Sequence, residues 1–142
     1  MKPFFSKFFV LAVLMATFAA WGAMAQGGPA VTFTSSGAFN AGEASFPAGT
    51  YTIRQDQDTL QEWVISNDSL AVSAFITTQL VDTTTANQKT EITFHKYGDT
   101  LVLKEITIAG MKTRYVVQMS HPEKKAAKTG KPTKVAVPAE KK

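Results

Sequence analysis

From residue 50 to residue 119 the chain is a succession of short runs rich in Thr, Val, Ile, Tyr and Phe, each ended by Asp, Asn or Gly. No stretch keeps a 3.6-residue apolar period. This patterning restricts the fold more than any other feature. β-Branched and aromatic residues suit a pleated, half-buried surface, whereas a packed helix needs an apolar stripe. The runs are Thr50 to Gln55, Leu60 to Ser66, Leu70 to Leu80, Glu91 to Tyr97, Thr100 to Ile108 and Thr113 to Met119. Asp56-Gln57-Asp58, Asn67-Asp68, Gly98-Asp99 and Ala109-Gly110 turn the chain between them, and Asp82 to Lys89 is a longer polar loop. Gly98-Asp99 suits a two-residue hairpin, because glycine reaches positive φ without a steric cost. Six such runs with short connections predict an antiparallel meander. With one or two further strands between Val31 and Phe39, seven or eight strands close as a small barrel or pack as a sandwich. The pattern predicts an all-β fold and leaves barrel and sandwich open.

The two ends of the chain read differently. The first 25 residues carry Lys2 and Lys7, an apolar run from Phe8 to about Ala20 and then Ala23-Met24-Ala25. This is the layout of a secretory signal peptide cleaved between Ala25 and Gln26, and it predicts an exported, periplasmic or extracellular protein. An uncleaved anchor is the rival, but the uncharged stretch sits at the lower limit for spanning a bilayer. Of the 142 residues none is cysteine, so disulfides, thiol nucleophiles and cysteine-ligated metals are excluded and the fold must stand on packing.

The net charge of +4 divides unevenly. Residues 26–119 hold six basic residues against nine acids, a net −3, whereas residues 120–142 hold seven lysines against Glu123 and Glu140, a net +5. That last segment has only Val135 and Val137 as large aliphatic residues and is interrupted by Pro122, Pro132 and Pro138. Such a composition predicts a disordered basic tail. Its functional reading is an electrostatic tether to an anionic envelope surface, and its simpler reading is a solubilising tail. Export and an acid-leaning domain argue against a nucleic-acid partner. The expected organisation is therefore a leader (1–25), an all-β domain (26–119) and a tail (120–142).

Two segments are more distinctive, Phe39 to Arg54 (FNAGEASFPAGTYTIR) and Phe94 to Ile106 (FHKYGDTLVLKEI). Pro47-Ala48-Gly49 is turn chemistry ahead of a strand, and Tyr51 is expected to bury its ring and place its hydroxyl on a backbone group. Together, from about Phe33 to Glu105, these motifs resemble a family of small exported bacterial all-β proteins common in acidobacteria. Its members carry Pro-Ala-Gly-x-Tyr and later Phe-His-x-Tyr-Gly-Asp. The resemblance implies a class of protein, not a reaction, cofactor or ligand, and it does not extend to the lysine-rich segment.

Candidate chemistry is sparse. His95 is the most suggestive residue, as a general base or ligand donor with Asp99 or Glu91 as partner, on a strand face shared with Thr93 and Tyr97. No Gly-x-Ser-x-Gly elbow accompanies it, and the ordinary reading is a strand histidine hydrogen-bonded across a hairpin or to solvent. The carboxylates are scattered singly, and phosphate-cradling or dinucleotide loops are missing from the sequence, so neither metal nor cofactor is expected. Trp63, Tyr97 and Tyr115 on one sheet face form the remaining lead, a row that stacks on sugar rings or lines an apolar cavity, unless they fill a thin β core. The expected function is a non-enzymatic exported β-domain with a binding or structural role at the bacterial cell envelope. The alternatives are a barrel carrying an apolar ligand or carbohydrate, and a small hydrolase using His95.

Overall fold

The computed structural model describes residues 29–67 and 69–142. The expected leader and its cleavage site lie outside the described residues, as does Asp68 of the Asn67-Asp68 turn. Among the described residues the elements in order are β1 (Ala30–Ser35), β2 (Phe39–Ala41), β3 (Ala44–Phe46), β4 (Gly49–Gln55), β5 (Glu62–Asn67), β6 (Val72–Asp82), β7 (Glu91–Tyr97), β8 (Thr100–Thr107), β9 (Thr113–Val117), α1 (His121–Ala127) and β10 (Thr133–Lys141). Each of the six runs read from the sequence becomes one strand, from β4 to β9, with ends displaced by no more than two residues.

Eight strands close on themselves in the order β1-β4-β5-β6-β9-β8-β7-β10, and every neighbouring pair is antiparallel. The fold is therefore a closed barrel, and closure removes the exposed edges of an open sheet. It is not a simple meander. The chain runs β4-β5-β6, crosses the barrel end through residues 83–90, and then runs back as β7-β8-β9. Asn87 holds that crossing in place: its side-chain amide donates to the carbonyls of Ile108 and Thr113, and its backbone pairs with Gly110 and Met111.

The largest correction concerns residues 120–142, which the composition assigns to a disordered tail. They form α1 and then β10, a full stave of the barrel inserted between β7 and β1. A strand with neighbours on both sides needs apolar residues only at alternate positions, since the ladder satisfies its backbone. Val135, Val137 and Ala139 supply that alternation and pack on the core. Pro138 is tolerated because β10 changes partner there. Thr133 to Pro138 pair with β7, and Ala139 to Lys141 pair with β1. Ala139 donates its N–H to Thr90 and Lys142 to Ala30, so even-numbered residues turn toward β1, and Pro138 lies just past the last β1 pair.

Inside the barrel, Val31, Ile53, Trp63, Ile65, Ile76, Ile92, Leu103, Ile106 and Ile108 are each 0% exposed and form one cluster. The β2–β3 hairpin, with β2 paired in parallel to β8, is an addition at one end of the ring. It brings Phe39 and Phe46 to Phe33, Tyr51 and Phe94, with ring centroids 5.1–6.0 Å apart. The Tyr51 hydroxyl donates to the Pro47 carbonyl, and burial raises its pKa. Burial of each such ring is worth about 2 kcal/mol, so this stretch of Phe39 to Arg54 serves the core of the barrel.

Candidate functional site

The four side chains singled out in the sequence do not line one cavity; the barrel wall separates them into two pairs. Trp63 from β5 and Tyr115 from β9 meet edge to face in the core, centroids 4.8 Å apart. Trp63 Nε1 is buried there without a hydrogen-bond partner among the described residues. His95 and Tyr97 lie on the outer face of β7, rings 6.2 Å apart, as their parity against Ile92 and Phe94 requires. The row of Trp63, Tyr97 and Tyr115 expected on one sheet face does not form. Closing the barrel turns Trp63 and Tyr115 inward, where their large side chains are needed to fill it.

A ligand-sized void inside the barrel would leave accessible surface on the side chains that border it, and nine of the core residues named above have none. Surface clefts lie elsewhere. One of about 480 Å3 marks the seam where β1 and β10 part beside Pro138, and one of about 300 Å3 lies between Lys89, Glu91, Glu105 and Arg114.

The outer pair sits in a polar cluster that sequence reasoning missed. Between Thr93↔Glu105 and Phe94↔Leu103 the β7–β8 register slips by one, so Lys104 is an extra residue in β8. A bulge re-aims side chains. Here it leaves Leu103 and Ile106 in the core while Lys104 reaches outward to Glu123 of α1, at 2.9 and 3.4 Å to the two carboxylate oxygens. Glu123 is 1% exposed and Lys104 16%, so the pair is largely desolvated. Ser120 caps α1, its hydroxyl accepting from the Glu123 N–H at 3.3 Å, and Pro122 occupies the first turn, where a missing N–H costs nothing. His121 adds its backbone N–H and Nδ1 to one oxygen of Glu43, each at 3.2 Å, and those bonds lower the Glu43 pKa. The Ser-x-x-Glu spacing of residues 120–123 was the available signal for a helix start.

Burial lowers the His95 pKa, an effect that the Glu123 carboxylate opposes and Lys104 and Lys134 reinforce. Its Nδ1 is buried and has no hydrogen-bond partner among the described residues. The partners expected for it do not materialise: Glu91 is across from Pro138 and Thr107, and the nearby carboxylate, Glu123, is committed to Lys104. Val102, across β8 from His95, and Tyr97 are buried yet lie outside the central core cluster, on the stretch of wall where Glu123 anchors α1. This region fastens a helix to the barrel.

The helix so fastened presents the other feature of note. Pro122, Glu123, Ala126 and Ala127 are its less exposed positions, while Lys124, Lys125 and the C-cap Lys128 are exposed. Lys131 and Lys134 follow, both exposed, and exposed Lys96 belongs to the β7 register opposite Thr133. Five lysines thus share the helix, the following turn and the start of β10, while Lys96 has the parity of Ile92 and Phe94 and turns to the other side of the sheet from Lys134. The chain matches no family model, no curated protein and no solved structure. Among the described residues there is no group of His, Asp and Glu able to hold a metal ion, and no helix long and apolar enough to cross a membrane.

Proposed function

We propose that this chain is a non-enzymatic, exported module of the bacterial cell envelope that binds through its outer surface. The observation that carries this reading is the filled interior. Trp63, Ile65, Ile76, Leu103 and their neighbours occupy the space in which a barrel carrier holds an apolar ligand, which leaves the exterior for recognition. The signal-like first 25 residues support export, and the lysine face on α1 and β10 supports an anionic envelope surface as the partner. Against the hydrolase reading stands the cluster around His95, where Glu123 is neutralised by Lys104 instead of orienting an imidazole toward a substrate.

The test is osmotic-shock fractionation of the full chain in a bacterial host, combined with an apolar-probe titration of the purified protein. Recovery in the envelope fractions is expected, released further by salt, with no saturable binding of a fatty acid or hydrophobic dye. Retention in the cytosol would overturn export, and stoichiometric uptake of the dye with quenching of Trp63 fluorescence would restore the carrier.

A further inference from the structure

The lysine segment is an ordered surface of fixed shape, and its composition narrows what that surface recognises. From Lys124 to Pro138 the only charged residues are the five lysines 124, 125, 128, 131 and 134. Of the carboxylates around the helix, Glu123 pairs with Lys104 and Glu43 with His121, and Glu43 is also within electrostatic reach of Lys124. The residues between the lysines are Ala126, Ala127, Thr129, Gly130, Pro132 and Thr133, all too small to hold the backbone away from a flat partner. Two residue types are missing from residues 120–142. There is no arginine, whose planar fork reads one phosphate or carboxylate bidentately, and there is no Phe, Tyr or Trp on which a base or sugar ring stacks. Lysine ammoniums on flexible stems respond to charge density instead of to the geometry of one anion.

Resting on the outer-surface reading above, we infer that the face made by α1, the following turn and the start of β10 docks on an anionic phospholipid bilayer. A bilayer offers headgroup charge continuously over a plane, which suits a lysine face whose intervening residues are all small. Single-stranded nucleic acid is normally gripped by aromatic platforms as well as charge, and this face has none. The Lys104–Glu123 pair holds the helix against the wall, so the lysines remain displayed together.

The experiment is sedimentation of the purified protein with vesicles of phosphatidylcholine alone or with about one-third phosphatidylglycerol. Binding is expected only to the anionic vesicles and is expected to vanish at about 0.5 M salt, where the screening length is roughly 4 Å. The triple variant Lys124→Gln/Lys125→Gln/Lys128→Gln should bind about 100-fold more weakly with an unchanged unfolding midpoint, because the three side chains are exposed. Lys89→Gln/Lys112→Gln, in the loops at the other end of the barrel, should bind as the parent does. Binding indifferent to phosphatidylglycerol, or unaffected by the triple substitution, would overturn the proposal. Tighter competition by double-stranded DNA than by anionic vesicles of equal charge would replace the bilayer with nucleic acid. Cytosolic fractionation with intact vesicle binding would remove the export reading and leave this one standing.

Discussion

At the scale of single residues, the Lys104–Glu123 pair sets the sharpest contrast. Glu123 is almost wholly shielded from water, whereas Lys104 keeps some access, so the two truncations are not equivalent. Lys104→Ala strands a buried carboxylate and is expected to cost about 3 kcal/mol in urea unfolding; Glu123→Ala, which leaves a lysine able to turn toward solvent, should cost less. The double replacement Lys104→Met/Glu123→Leu should recover most of the loss, and a double variant as unstable as Lys104→Ala would show that the pair does not act as a unit. A second residue carries backbone strain. Ala71, in the β5–β6 turn where the Leu70 N–H donates to Asn67 Oδ1, has φ +52°, a conformation costing an L-residue about 1 kcal/mol. Ala71→Gly should therefore leave stability unchanged or raise it by up to about 1 kcal/mol in the same assay, whereas glycine at an ordinary strand position weakens it.

At the scale of elements, β10 decides whether there is a barrel. It contributes Val135, Val137 and Ala139 to the core and joins β7 to β1, so a chain ending at Lys131 exposes the facing edges of both strands. That truncation is expected to lose cooperative thermal unfolding by circular dichroism. A synthetic peptide of residues 131–142 added in excess should restore it, since backbone pairing and three apolar side chains are what is missing; unaltered melting of the truncated chain would show β10 to be dispensable. Deleting the segment is accordingly no test of its charge, which is why lysine-to-glutamine substitutions serve that purpose. The strand was hard to read because lysines and prolines outnumber valines there, and composition averages over the alternation Val135-Ala136-Val137-Pro138-Ala139 that a two-sided strand needs. Strands β4 to β9 were legible because their turn residues are local: Gly98, at φ +60° between the paired Tyr97 and Thr100, is the hairpin glycine expected from the sequence.

At the scale of the whole molecule, stability is tied to pH through His95 and Glu43. The folded His95 holds its proton less tightly than the ordinary value of 6.5. As the pH falls below 6.5 the unfolded chain takes up a proton that the folded barrel resists, and stability declines until the lowered folded pKa is passed. Glu43 adds a further loss in more acidic solution, because its carboxylate is favoured in the folded state and is protonated as the pH drops below 4.5. The urea midpoint is thus expected to be lower at about pH 5 than at pH 7, and His95→Gln should flatten that dependence. A midpoint that rises between pH 7 and pH 5 would contradict the His95 assignment. Charge follows the same division on this scale: an acid-leaning barrel wall carries a lysine face, and the fold displays that face on α1 and the start of β10.

The sequence by itself determined the β class, the positions of six strands, the inward parity of Ile92 and Phe94 and the corner at Pro47-Ala48-Gly49, all of which depend on neighbours within a few residues. The exclusion of cysteine chemistry also needs nothing but the residue list. Only the tertiary structure decided that the sheet closes, that Trp63 and Tyr115 are core while His95 and Tyr97 are not, and that residues 120–142 are a helix and a stave. Those outcomes depend on partners far away in the chain. Lys104 meets Glu123 through a one-residue bulge, and β10 is held by β7 and β1, strands that no local pattern places beside it.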